Sequence, residues 1–139
     1  MNLILCLEND NGMMFNHRRE SQDRSLIQRV LKVTGSETIC VKPYSLSLFN
    51  AADDRIRVIN DYSQVNENEY FFDEDTDPVK FIDAIDKVII YRWNRTYPAD
   101  LRCTVDMTNF QLTSSYDFEG TSHERITEEM YKKVDGAKK

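Results

Sequence analysis

A chain of 139 residues has the size of one ordinary domain and can bury roughly two-thirds of the surface its unfolded form exposes. With 40% hydrophobic residues and only four Gly and three Pro, it has too much core material and too few chain breakers for a disordered protein. A net charge of −6 excludes a generic coat for duplex DNA or RNA, and no run approaches the eighteen or so apolar residues of a membrane-spanning helix.

The first element is Leu3 to Leu7, a continuous apolar run too short for a helix, closed by the turn-rich Glu8-Asn9-Asp10-Asn11-Gly12. It reads as a central strand buried on both faces. From Ser21 the period changes: Leu26, Val30 and Val33 recur at helical spacing, Ser21 suits the N-cap, and Gly35 lies just past the end. Glu37 to Val41 is short and rich in β-branched residues, Pro43 stops it, and a brief helical turn follows through Ser45 to Phe49.

Strand, helix and strand within forty residues imply a parallel, right-handed crossover. Arg55 to Asn60 alternates as a strand. Tyr70-Phe71-Phe72 forms another and ends at the acidic stretch Asp73 to Asp77, for which a solvated turn is the default expectation. Pro78 suits the first turn of a helix carrying Phe81, Ile82 and Ile85.

Val88 to Tyr91 is the second strong buried strand, after which the pattern turns antiparallel through Phe110 to Thr113 and a turn at Gly120. Residues 124–134 fit two patterns, a strand over Arg125 to Tyr131 or one helical face carrying Ile126, Met130 and Val134. The expectation is a single α/β domain over residues 1–134 with a frayed tail at 135–139. Three widely spaced cysteines, Cys6, Cys40 and Cys103, give no disulfide framework and, with no basic leader before Leu3, point to a cytoplasmic protein.

The order β, α, β, short α, β, β, α, β, β, β resembles dihydrofolate reductase shortened by about one crossover unit. The resemblance implies a mixed, mainly parallel central sheet flanked by helices, with antiparallel C-terminal strands. In that family an acid early in the first helix binds the pterin ring, and Asp23 stands at the matching place; Phe110 stands where a Trp would be. The family's phosphate-holding Gly-Arg-x-Thr is replaced by Lys42-Pro43-Tyr44-Ser45, which keeps one cation and one hydroxyl. Its Gly-Gly pair, which lets backbone approach a pyrophosphate, is replaced by Asp73-Glu74-Asp75-Thr76, whose carboxylates repel phosphate. The Pro-Trp that closes over the nicotinamide is replaced by Phe15 to Arg19. These departures imply a scaffold without NADPH or reductase chemistry, so no cofactor is expected.

Two groups of residues carry candidate chemistry. Arg18, Arg19 and Arg24, beside His17 and Arg29, would flank the substrate cleft with Asp23, Tyr44 and Ser45; guanidinium groups beside a carboxylate suit a small anionic heterocycle or nucleotide, and a solvated helix face with Glu20 and Arg24 as an i,i+4 pair is the plain alternative. Arg92 and Arg95 lie in Tyr91-Arg92-Trp93-Asn94-Arg95-Thr96-Tyr97-Pro98, which could stack a base and hold a phosphate, or close the core edge and leave a homodimer open.

His17 and His123 are too few and too isolated for zinc, and no metal site is expected. In Gly120-Thr121-Ser122-His123-Glu124, adjacent Ser and His side chains on a turn do not make a nucleophile and base. The leading reading is a domain without reductase activity that binds a small heterocyclic or nucleotide ligand near Asp23 or serves an accessory interaction role. One alternative is a metal-independent nucleotide- or RNA-processing enzyme, which requires Arg18, Arg19, Arg92 and Arg95 to converge on one pocket. The other is a partner-binding protein whose cleft is filled by Met13, Met14 and Phe15; a cleft too small for a bicyclic ring would favour it and sink the ligand-binding reading.

Overall fold

The computed structural model describes residues 1–50 and 53–134. The tail expected at 135–139 lies outside the described residues. Strands β1 (Asn2–Leu7), β4 (Ile39–Val41), β5 (Ile56–Val58), β6 (Tyr70–Phe72), β7 (Lys87–Arg92), β9 (Phe110–Phe118) and β10 (Ile126–Lys133) form one sheet in the order β5-β4-β6-β1-β7-β10-β9. The first five run parallel, β1 between β6 and β7, while β10 pairs antiparallel with β7 and β9 antiparallel with β10. This is the mixed, mainly parallel sheet with an antiparallel C-terminal end that the sequence implies. The ambiguous stretch after residue 124 is a strand, because its length serves to pair with two neighbours at once.

Alternation along β1 divides the core. Leu3, Leu5 and Leu7 face one side with Phe71, Val88 and Ile90, and Ile4 faces the other with Phe72, Ile89 and Tyr91. Helix α1 (Arg24–Val33) covers the second side with Leu26 and Val30. The first side has no α-helix among the described residues. It is covered by Phe81 and Ile85 and by Met13, Met14 and Cys103 from a small sheet that the sequence does not announce, β3-β2-β8, built from β2 (Gly12–Phe15), β3 (Arg18–Arg19) and β8 (Leu101–Arg102).

The helix expected after Pro78 is a 3₁₀ segment, Pro78–Ala84, capped by Asp77 and broken at Phe81, whose φ of −135° is not helical. The cause is local packing: the Phe81 ring stacks on Tyr62 at 4.5 Å and leans on Phe71 at 5.9 Å. The flanking helices therefore reduce to one α-helix and short 3₁₀ pieces among the described residues. Between β2 and β3, Asn16 and His17 both take positive φ (53° and 61°), the geometry of a two-residue hairpin turn that twists with its strands.

Candidate functional site

The C-terminal ends of β1, β6 and β7 meet the start of α1, and there the structure joins Arg19, Tyr44 and Ser45 around Glu74. Arg19 grips the Glu74 carboxylate with two hydrogen bonds, Nε to Oε2 at 2.9 Å and Nη2 to Oε1 at 3.1 Å, and Ser45 Oγ donates to Oε1 at 2.6 Å. The Arg19 guanidinium also lies 4.5 Å over the Tyr44 ring. Next to it, Lys42 Nζ donates to Asp75 Oδ1 at 2.8 Å and to Thr76 Oγ1. The acidic stretch is thus not a solvated turn: Asp73 is 2% exposed and Glu74 9%. Every cation of this corner already has a carboxylate.

Among the described residues Asp73 Oδ2 has no such partner. Burial, opposed by Lys42 and reinforced by Asp75, raises its carboxyl to about 7. Glu20 is raised to about 7 as well, by burial first and then by the Glu8 carboxylate, with Arg102 opposing. Both Glu20 oxygens are buried without a hydrogen-bond partner among the described residues, so the i,i+4 pair with Arg24 does not form.

Asp23 is the N-cap of α1, the role the sequence offered to Ser21. Its carboxylate accepts from the backbone N–H groups of Ser25, Leu26, Thr121 and Ser122, and from His123 Nδ1 at 2.9 Å. Its burial acts to raise the carboxyl, but these hydrogen bonds, His123 first, outweigh it and hold the group down at about 2. Its acceptor capacity is taken up by the protein itself. Gly120 makes this approach feasible, since a Cβ there would stand 2.7 Å from Asp23 Oδ2.

The His123 ring stacks on Trp93 with centroids 4.6 Å apart, and its Nε2 lies 2.8 Å from Ser21 Oγ and 3.4 Å from the Tyr97 hydroxyl. No short-range signal in the sequence marks this cluster, because its members come from residues 21–23, 93–97 and 121–123.

Between Asp23 and the sheet, the crevice bounded by Cys6, Leu26, Phe72, Glu74 and Trp93 has a free volume of about 10 Å³. Its filling is not the one expected: Met13 and Met14 belong to the core on the opposite side of the sheet, and Phe15 is exposed. Two larger openings lie outside it. One, about 360 Å³, is lined by Gln22, Arg24, Gln28, Ser47, Leu48 and Ser122 with the edge of Asp23; the other, about 610 Å³, by Met14, His17, Tyr44, Asp75, Asp100 and Leu101.

The predicted arginines do not converge. Arg19 is held by Glu74, and Arg24 reaches the first opening. Arg18 stands exposed on β3, and Arg92 pairs with Glu129 at 3.1 Å and with Asn11. Arg95 is exposed in the loop after β7. Arg29, on α1, binds Glu128 through two hydrogen bonds, and the same carboxylate accepts from the Tyr91 hydroxyl at 2.8 Å. Among the described residues no group of three or more His, Cys, Asp or Glu is placed to hold a metal ion, and no helix is long and apolar enough to cross a membrane.

No protein-family model matches the chain, and no curated protein matches its sequence. Among solved structures, it is similar to a dihydrofolate reductase from Enterococcus faecalis complexed with NADP(H) and RAB-propyl. The TM-score is 0.68, 96% of each chain is covered and the identity is 9%. The likeness establishes a dihydrofolate reductase-like fold.

Proposed function

We propose that this protein is a dihydrofolate reductase-like binding module that lacks reductase chemistry and takes a small anionic ligand at the opening beside the start of α1. The observation that carries this reading is the Glu74 carboxylate, fixed by Arg19 and Ser45 where the resemblance would put a cofactor pyrophosphate. A bound carboxylate there repels a phosphate and also neutralises the cation that would attract one. A crevice of about 10 Å³ does not admit a pterin, which argues against reductase chemistry and against a ligand inside the cleft and favours the partner-binding alternative there; the ligand is therefore placed at the outer opening. Without a held hydride donor the fold has no reductase reaction to perform.

The opening of about 360 Å³ reaches the size of a small-ligand site, and Arg24, Gln22, Gln28, Ser47 and Ser122 offer a cation with amide and hydroxyl groups. That chemistry suits a phosphorylated or carboxylated small molecule bound from solvent, a nucleotide included. The scattered arginines weigh against the nucleotide- or RNA-processing alternative.

Calorimetric titration with NADPH, dihydrofolate and a panel of nucleoside phosphates tests this, with Trp93 fluorescence as the optical reporter. The expected result is no binding of NADPH or dihydrofolate, and binding of at least one nucleoside phosphate that Arg24→Ala abolishes. Tight NADPH binding overturns the loss of the cofactor grip. Absence of all binding at millimolar concentration removes the ligand and leaves an accessory, partner-binding role.

A further inference from the structure

We propose that Ser21, His123 and Asp23 form a serine nucleophile, general base and orienting carboxylate able to hydrolyse small carboxylic esters. The inference goes beyond the binding role above and does not need it, because it rests on the three side chains alone. Ser21 Oγ lies 2.8 Å from His123 Nε2, and His123 Nδ1 lies 2.9 Å from Asp23 Oδ2, the linear serine–imidazole–carboxylate order by which such sites are recognised on unrelated folds.

Each member is held in its role. Four backbone N–H donors fix the Asp23 carboxylate, which is ionised at neutral pH and can only accept. The proton of a neutral imidazole therefore sits on Nδ1, and the Nε2 lone pair faces the Ser21 hydroxyl. Stacking on Trp93 locks the ring plane. Asp23 and His123 are buried, whereas Ser21 keeps partial exposure to solvent, as a nucleophile must.

In the reaction the Ser21 oxygen forms a bond to the carbonyl carbon while its proton passes to Nε2. Collapse of the tetrahedral intermediate breaks the ester C–O bond, and the leaving alcohol takes the proton from Nε2. Water then adds to the acyl-enzyme, its proton passing through Nε2 back to the serine oxygen as the acid departs. Ester and water are consumed; acid and alcohol are released.

The test is covalent labelling with a fluorophosphonate, located by peptide mass spectrometry, alongside steady-state hydrolysis of p-nitrophenyl acetate. The expected result is one adduct on Ser21 and hydrolysis above the buffer rate that falls at least about tenfold in Ser21→Ala. Ser115→Ala, on exposed β9, serves as the control for non-specific labelling and keeps both signals. Melting curves of Ser21→Ala that match the wild type separate lost chemistry from lost folding. An unlabelled Ser21, or hydrolysis that persists in Ser21→Ala, overturns the proposal. Neither outcome bears on nucleoside phosphate binding, which depends on Arg24.

Discussion

Asp73 sits just after β6 with one oxygen buried and unpaired among the described residues and its carboxyl raised to about 7. An acid whose folded value lies above its unfolded value is stable as the neutral form; the fold loses stability as pH rises from about 4 to 7, by roughly 4 kcal/mol for a shift of this size. Asp73→Asn removes that charge, so its melting temperature should exceed that of the wild type by more at pH 8 than at pH 5. An equal difference at the two pH values would show that Asp73 is not carrying a buried charge. Asp23 has the opposite sign: its stabilisation is present above about pH 4 and is lost as pH falls towards 2. At this scale the sequence was only half legible. Asp23 could be singled out only through the resemblance, as an acid early in the first helix rather than as its cap, and Glu74 was read as solvated, because nothing local reveals that its partner is Arg19, 55 residues earlier.

Strands of the main sheet were readable where an apolar run or an alternation marks them, as in Leu3 to Leu7 and Val88 to Tyr91, while β10 fitted a helical face equally well; β2, β3 and β8 are four, two and two residues long and join positions nearly ninety residues apart. The helix expected after Pro78 failed for a related reason, since its spacing was helical and its packing against Tyr62 and Phe71 was not visible. The loop before β10 offers the sharpest test at this level. A Cβ on Gly120 would meet Asp23 Oδ2 at 2.7 Å, His123 O at 2.9 Å and Ile126 Cδ1 at 2.9 Å. Gly120→Ala should therefore cost about 1–3 kcal/mol in chemical denaturation, far more than a methyl on an open turn. An unchanged midpoint would mean that the loop is not seated on the helix.

For the molecule as a whole, the parallel order and the antiparallel end could be inferred from the succession of elements, since few topologies place a buried first strand, a helix and a late hairpin in one sheet. The candidate site could not, because it is assembled across the length of the chain. A chain ending at Phe118 would lose β10, and with it the partner of β7, the Glu128 acceptor of Arg29 and Tyr91, and the backbone donors to Asp23. Circular dichroism and hydrogen exchange of that truncated chain should show no cooperative unfolding, and a sharp transition would show that the first 118 residues fold alone. The tie from Asp23 to residues 121–123 also bears on birth at the ribosome. Helix α1 is made well before residues 121–123, yet its capping carboxylate meets two backbone donors and a histidine there, so the cap of α1 waits, incomplete, until about a hundred further residues have been added.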